Sequence, residues 1–342
     1  MIVKNYKNHL ILSSTTIRNS IIKLGKLNQK FCVIIDKNKK FYGTLTDGDI
    51  RRGLLKNFNL SDSVSLICNK KSFYTSNKLQ EYSLEKILEK KKLLFLPILN
   101  KDKKVTNIYI KSNTKIAPKL DNEMIIMAGG IGKRLRPFTK KIPKPLLPVN
   151  GKPIIERIIS IAKNQGIKKI TISINYLGQK IKNYLKDGRR LSVQIDYINE
   201  EKPLGTAGSL FYMKKIKKPF IVSNADIISN VNYKEMINYH NKLKSFITIG
   251  AISNFEKNHY GNIVFRKNKV LRIEEKIEKK SFINAGIYIL SPQIKKFLKV
   301  KKFIHMTDLI ELAILKKKRV HLFPMHENWF DYGIKEKYLK NK

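Results

Sequence analysis

The chain has 342 residues, and 70 Lys and Arg residues against 26 Asp and Glu residues give it a formal net charge of +44 at pH 7. A hydrophobic content of 42% argues against a disordered chain. No apolar run approaches the ~18 residues that a membrane span needs, and the two cysteines, Cys32 and Cys68, lack metal or disulfide-framework spacing. These features predict cytoplasmic domains of roughly 150 residues each, without a membrane partner.

The positive charge is spread along the whole chain. Lysines occur in twos and threes, as at Lys39-Lys40 and Lys90–Lys92, among Ile and Asn residues and with few Arg residues. Nucleic-acid readers usually concentrate Arg and exposed aromatic residues on one element. The pattern therefore indicates a composition bias and predicts no nucleic-acid partner, although the charge should steer small phosphorylated ligands to the protein.

The N-terminal part shows a weak internal repeat of about 60 residues, each copy reading helix, strand, turn, strand. A polar stretch with a proline follows at 111–122 and predicts a linker, so we expect domains at 1–118 and 119–342. The first copy predicts a helix over Thr15–Leu27, strands over Phe31–Asp36 and Phe41–Leu45, and a helix over Ile50–Asn57. The second copy predicts a helix over Leu84–Lys91 and strands over Leu93–Leu99 and Val105–Ile110.

The C-terminal part alternates strands and helices, which predicts an α/β fold with a doubly wound, mostly parallel sheet. Ligands of such sheets bind at the carboxyl ends of the strands. The predicted strands are Met124–Ala128, Lys169–Asn175, Val193–Ile198 and Phe220–Ser223, and the predicted helices are Ile154–Asn164 and Leu177–Leu185.

A glycine-rich loop directly follows the first of these strands. The backbone N–H groups of Gly129, Gly130 and Gly132 can approach phosphate oxygens because no Cβ stands in the way. Arg134 adds a planar guanidinium suited to phosphate, and Lys144 adds a point charge between two prolines. This combination predicts a phosphate-binding loop.

Two other phosphate loops do not fit these residues. A dinucleotide fingerprint that starts at Gly130 needs a glycine where Leu135 stands. A P-loop needs Ser or Thr after Gly132-Lys133, and that position is Arg134.

Together these segments resemble the nucleotide-binding signature of sugar-1-phosphate nucleotidyltransferases, an apolar strand followed by Ala-Gly-Gly-x-Gly-x-Arg-Leu and then Pro-Lys-Pro. The resemblance covers about residues 123–342 in six segments that follow the family's order. The later segments are Glu201–Gly208 with Pro203 and Gly205, Ser223–Asp226, Glu274–Lys276, Asn284–Gly286 and Trp329–Gly333.

The resemblance implies an in-line transfer of a nucleoside monophosphate from an NTP, with GTP favoured, to a sugar 1-phosphate. In the family's pattern Asp226 and Asp331 would hold Mg²⁺, and Arg134 and Lys144 would neutralise the triphosphate. Two departures are Lys133 in place of a frequent Thr and Ile277 in place of a frequent Pro. The resemblance further implies that Lys276 holds the sugar phosphate and Glu275 a sugar hydroxyl. It also implies contacts to the substrates from the three loop glycines, Pro203, Gly205, Asn284 and Gly286.

A nucleotidyltransferase part that follows a separate N-terminal domain resembles bacterial guanylyltransferases that make GDP-sugars for surface glycans or nonulosonic acids. A second hypothesis is a catalytically silent protein that keeps the fold and senses nucleotides. A silent protein would be expected to lack Lys144, Asp226 or Asp331, and all three residues are present. The residues therefore favour the enzyme.

The N-terminal segment Gly43–Arg51 resembles a CBS domain, and the repeat resembles a CBS pair over about residues 8–115. In that family Thr46 and Asp49 would hold the ribose of an adenine nucleotide. The same spacing is also a helix capping box, and the second copy lacks the Asp. Ligand binding and architecture alone both remain open, and CBS pairs often associate face to face, which suggests a homodimer.

Overall fold

The computed structural model describes residues 2–3, 5–27, 29–76, 81–110, 120–213, 216–257, 262–266, 268–274, 278–298 and 302–340. The chain divides into two compact units, Met1–Ile116 and Ala117–Lys342. No helix among these described residues is long and apolar enough to cross a membrane.

The first unit consists of two similar halves. In each half a three-stranded sheet has its first strand parallel to the second and its second antiparallel to the third. The first half contains β1 (Leu10–Leu12), α1 (Ile17–Lys26), β2 (Phe31–Ile35), β3 (Phe41–Thr46) and α2 (Asp47–Leu55). The second half contains β4 (Thr75–Ser76), α3 (Glu81–Lys91), β5 (Phe95–Leu99) and β6 (Val105–Ile110).

The two halves share a common core. Phe31 pairs with Thr46 in the first sheet, and Phe95 pairs with Ile110 in the second, so the two phenylalanines occupy equivalent positions. Their rings stack on each other with centroids 3.8 Å apart. The predicted repeat is therefore present, and its equivalent residues pack against each other.

Helix α2 begins earlier than the sequence predicts. It starts at Asp47 rather than at Ile50, because Thr46 caps its first turn. An N-cap side chain supplies a partner for a backbone N–H that the helix leaves free. The apolar spacing alone missed this first, acidic turn.

The second unit is built on a seven-stranded sheet in the order β11-β10-β7-β12-β17-β14-β18. The neighbouring strands β11, β10, β7 and β12 are parallel, and β17 runs antiparallel to both β12 and β14. These strands are β7 (Met124–Met127), β10 (Lys169–Ile174), β11 (Gln194–Asn199), β12 (Phe220–Asn224), β14 (Ile247–Lys257), β17 (Glu278–Leu290) and β18 (Val320–Met325).

Hydrophobic layers cover both faces of this sheet. Alternate residues of a strand point to opposite faces, and in β7 Met124 and Ile126 join one core cluster while Ile125 joins the other. The mostly parallel, doubly wound sheet predicted from the sequence is confirmed. The helices of the unit are α4 (Ile154–Asn164), α5 (Gly178–Leu185), α6 (Tyr233–Lys242), α7 (Met306–Leu315) and α8 (Lys335–Lys340).

Three short two-stranded sheets complete the second unit. The pair that matters for the site joins β13 to β19, which are antiparallel and come from distant parts of the chain. The strands are β8 (Pro148–Val149), β9 (Lys152–Pro153), β13 (Ile227–Ser229), β15 (Asn262–Arg266), β16 (Lys269–Glu274) and β19 (Trp329–Asp331).

Candidate active site

The glycine-rich loop after β7 closes onto the segment that carries Lys144. Gly132 has a left-handed backbone with φ of +68°, and a Cβ there would lie 3.0 Å from Thr139 Cγ2 and 3.3 Å from Lys144 Cβ. The buried Thr139 hydroxyl donates a hydrogen bond of 2.9 Å to the Gly132 carbonyl. Glycine is therefore required at this position both for its φ and for the space that it leaves.

Two aspartates are brought together by the pairing of β13 with β19. Ile227, which follows Asp226, lies opposite Asp331 in this ladder. The Tyr332 N–H donates a hydrogen bond of 3.0 Å to the Asp226 carbonyl. Two carboxylates that are 105 positions apart in sequence thus lie side by side in the fold.

Lys144 meets these carboxylates in a partly enclosed space. Its ammonium forms an ion pair with Asp226 Oδ2, and 14% of the Lys144 side chain and 16% of the Asp226 side chain are exposed. A Cβ on Gly333 would lie 2.6 Å from Lys144 Nζ and 2.8 Å from both Asp226 Oδ2 and Asp331 Oδ1. The ammonium and both carboxylates therefore converge on one point, which a side chain at Gly333 would block.

The aspartates open into a cleft of about 450 Å³. Five of the predicted site residues line it: Arg134, Asp226, Asn284, Gly286 and Asp331. Lys144 reaches the same place through its ion pair with Asp226. The structure thus brings together the cationic, carboxylate and amide residues that the motifs proposed.

One wall of the cleft is shaped around Gly286. Its φ is +71°, and a Cβ would lie 2.7 Å from Asn224 Nδ2. The Gly286 N–H donates a hydrogen bond of 3.0 Å to Asn284 Oδ1. Burial raises the pKa of the neighbouring Tyr288 phenol, so this lining residue remains a neutral hydrogen-bonding group at pH 7.

Five predicted contact residues do not line this cleft: Gly129, Gly130, Gly132, Pro203 and Gly205. Gly129 instead leaves room for Glu200, whose Oε1 would lie 3.0 Å from a Cβ. Gly205 has a φ of +77° and lets the loop approach the Ile304 carbonyl, which would lie 2.5 Å from a Cβ. Glu275 and Lys276 lie outside the described residues.

The acidic side chain of Glu200 holds the loop that contains Pro203 and Gly205. Its carboxylate accepts a hydrogen bond of 2.5 Å from the Ser173 hydroxyl and one of 3.1 Å from the Leu204 N–H. Sequence reasoning missed this positioning role, because an acidic residue at a strand end gives no distinctive signal.

Thr46 and Asp49 in the first unit bond to each other at the start of α2. Asp49 Oδ2 accepts hydrogen bonds of 2.8 Å from the Thr46 N–H and 2.6 Å from the Thr46 hydroxyl. Arg52 Nη2 lies 2.5 Å from Asp49 Oδ1. The capping box that the sequence left open as an alternative is therefore formed.

Several cleft residues were not predicted as site residues. They come from loops, from the ends of β12 and β19 and from the last helix, where side-chain type alone gives little signal: Thr206, Asn224, His305, Trp329, Ile334 and Lys337. Thr206 also ties two elements together, since its Oγ1 accepts a hydrogen bond of 2.8 Å from the Met306 N–H at the start of α7.

Known proteins resemble this chain over more than half of its length. A mannose-1-phosphate guanyltransferase of Aspergillus oryzae is 32% identical over 225 residues, which cover 63% of this chain and 62% of that protein. A D-glycero-alpha-D-manno-heptose 1-phosphate guanylyltransferase of Campylobacter jejuni is 34% identical over 220 residues, which cover 63% of this chain and 96% of that protein. The chain thus spans less than two thirds of the fungal relative's length and nearly all of the bacterial one's.

The solved structure of HddC from Yersinia pseudotuberculosis complexed with GMP-PN is 29% identical, with a TM-score of 0.50. The match covers 64% of this chain and 97% of that one. Residues 123–342, more than half of the chain, match the profile of the family described as nucleotidyl transferase. The chain therefore belongs to the nucleotidyl transferase family.

Proposed function

We propose that the chain transfers a nucleoside monophosphate from an NTP to a sugar 1-phosphate and releases pyrophosphate. The observation that carries this proposal is the convergence of Lys144, Asp226 and Asp331 beside the cleft that Arg134 and Asn284 line. Lys144 and Arg134 supply positive charge for phosphate oxygens, and the two carboxylates offer oxygen ligands for a divalent cation. The product is a nucleotide sugar.

The reaction needs positioning and charge neutralisation rather than a covalent enzyme nucleophile. A phosphate oxygen of the sugar 1-phosphate forms a bond to the α-phosphorus of the NTP. The bond from that phosphorus to the bridging oxygen breaks, and pyrophosphate leaves with the electron pair. Arg134 and Lys144 supply positive charge for the oxygens on which negative charge builds up.

Asp226 and Asp331 are the residues that would hold Mg²⁺. Asp226 Oδ2 and Asp331 Oδ1 lie close to each other, since each is 2.8 Å from the position that a Cβ on Gly333 would take. Mg²⁺ prefers one or two carboxylates together with substrate phosphates, and this donor set fits that preference. When bound, the ion would supply further neutralisation of the triphosphate.

We further propose that the nucleotide is GTP. The fungal and Campylobacter relatives are both named as guanylyltransferases, and their sugars are mannose and a manno-heptose. A GDP-sugar for surface glycan or nonulosonic acid synthesis is the product that follows for this chain.

The first unit is proposed to act as a CBS pair that binds an adenine nucleotide and associates with a second copy. Its two equivalent half-sheets support the resemblance. Thr46 and Asp49 would have to exchange their capping hydrogen bonds for bonds to a ribose. Calorimetry with AMP and ATP tests this proposal, and absence of both heat and any effect on turnover would contradict it.

The decisive experiment is a screen for pyrophosphate release. The full chain with Mg²⁺ is given each of GTP, ATP, UTP, CTP and dTTP with a panel of sugar 1-phosphates that includes mannose and heptose 1-phosphates. We expect GTP with one sugar 1-phosphate to give the fastest release. No release from any pair would favour the catalytically silent alternative.

A further inference from the structure

The last helix places a lysine in the cleft. Helix α8 is anchored by Tyr338, which is 1% exposed and whose ring packs edge-on against Phe138, with centroids 5.6 Å apart. Ile334 and Lys337 are three positions apart in the chain and both line the cleft. Ile334 directly precedes α8, and its carbonyl accepts a hydrogen bond of 3.0 Å from the Tyr338 N–H, so it belongs to the first turn of the helix. Residues at this spacing share one face of a helix. The anchor therefore directs the face with Lys337 toward the site.

The head of this lysine is held by an aromatic ring. Lys337 Nζ lies 5.5 Å from the centroid of the Trp329 ring, within the range of a cation–π contact. The indole N–H of Trp329 donates a hydrogen bond of 2.9 Å to the Ala285 carbonyl, next to Asn284. The ring is thus fixed to the strand that bears Asn284 and Gly286, and it fixes the position of the ammonium.

The distribution of charge in the cleft indicates which substrate group the Lys337 ammonium contacts. Among the described residues that line the cleft, the Arg and Lys residues are Arg134 and Lys337. Arg134 belongs to the glycine-rich loop, and Lys337 is linked through Trp329 to the Asn284 segment. Arg134 and Lys144 are assigned to the triphosphate in the proposed reaction, and the second phosphate-bearing substrate needs positive charge of its own.

We propose that Lys337 binds the phosphate of the sugar 1-phosphate, with Trp329 as its positioning residue. This inference rests on the proposed function, because it names a contact to one of its two substrates. The positive charge and N–H donors of a lysine ammonium suit a dianionic phosphate. The contact belongs to substrate binding, so its loss should raise the KM for the sugar 1-phosphate more than it lowers kcat.

The test compares Lys337→Gln with Lys340→Gln, an exposed lysine of the same helix as control. A charge-assisted hydrogen bond contributes roughly 1.5–3 kcal/mol, which corresponds to an increase of about tenfold or more in KM for the sugar 1-phosphate. The KM for GTP should stay within about twofold, and Lys337→Arg should restore most of the affinity. Trp329→Leu should give a smaller rise in the same KM.

Calorimetric titration with mannose 1-phosphate gives a second readout that needs no turnover. A tenfold weaker affinity in Lys337→Gln alone supports the proposal, even where the wild type releases no pyrophosphate and the proposed function fails. An active wild type with an unchanged KM and affinity in Lys337→Gln, or a raised KM for GTP instead, would overturn the assignment of Lys337 while leaving the function intact. Absence of both binding and turnover in the wild type overturns both.

Discussion

Two aspartate motifs of the chain have opposite surroundings. Asp49 in the first unit accepts hydrogen bonds from Thr46, three residues before it, and pairs with Arg52, three residues after it. Asp226 in the second unit meets Lys144 and lies beside Asp331, residues that are far from it in sequence. The first carboxylate is satisfied by its own helix, whereas the second is part of a charge cluster that opens into a cleft. A polar residue whose partners all lie in its own helix is explained by the stability of that helix. A cluster of charged residues that come from distant segments of the chain points instead to a ligand.

The strongest test of this contrast is Asp226→Asn, which removes the charge and keeps the shape. We expect pyrophosphate release to fall by about 10²–10³-fold, because a preorganised electrostatic contact is lost. The fold should persist, since Tyr332 bonds to the backbone carbonyl of Asp226 rather than to its side chain.

The matched control is Asp187→Asn, a surface carboxylate that is 57% exposed and pairs with Arg189. It should leave turnover unchanged. Full activity of Asp226→Asn in the same assay would show that the charge cluster is not the reaction centre.

A buried histidine extends the contrast to a polar network inside the second unit. His240 is 1% exposed, and its two ring nitrogens bond to the Thr248 hydroxyl at 2.9 Å and the Ser291 hydroxyl at 3.0 Å. Burial, reinforced by the charge of His321, lowers the pKa of His240 to about 4. Because both ring nitrogens have hydrogen-bond partners inside the protein, we expect His240 to contribute to the free energy of unfolding rather than to the reaction.

The sign of the pH dependence follows from the lowered pKa. Between pH 6.5 and 4 the unfolded chain binds a proton that folded His240 does not, so this stability is present above pH 6.5 and is lost as the pH falls. From pH 7 to 5 the unfolding free energy should drop by about 2 kcal/mol from this residue. Urea unfolding of the wild type and His240→Gln at both pH values measures it, and equal pH slopes would contradict the assignment.

The ion pair of Lys144 with Asp226 predicts competition with a metal ion. A divalent cation that binds Asp226 must displace the ammonium, which is the charge we expect to move to the triphosphate. Lys144→Met should therefore bind Mn²⁺ about tenfold more tightly than the wild type in the absence of nucleotide, a coupling of ordinary size.

Titration calorimetry with Mn²⁺ measures this coupling, and Lys140→Met, an exposed lysine nearby in the chain, is the control. Unchanged or weaker binding by Lys144→Met would show that the ammonium does not compete for the carboxylate. A wild type that binds no Mn²⁺ with or without GTP would instead contradict the proposed metal site.

The sequence could predict what depends on local pattern. The strand β7, the glycine-rich loop and the identities of Lys144, Asp226 and Asp331 followed from motifs that stand in a fixed order. The pairing of β13 with β19, which sets Asp331 beside Asp226, depends on a contact between distant strands. Lys337 was missed for the same reason, because its place in the cleft depends on how Tyr338 packs against Phe138.

The prediction with the smallest expected effect concerns Thr46, whose hydroxyl caps α2. Thr46→Ala removes the hydroxyl that caps α2, and loss of such a cap costs about 1 kcal/mol. Hydrogen exchange of the full chain should show amides of α2 exchanging about fivefold faster, while pyrophosphate release stays at the wild-type rate. Thr46→Ser keeps the hydroxyl and should exchange like the wild type. If Thr46→Ala instead slowed turnover with α2 exchange unchanged, Thr46 would be acting on the reaction rather than on its helix, and local satisfaction of a polar group would no longer separate an architectural motif from a functional one in this chain.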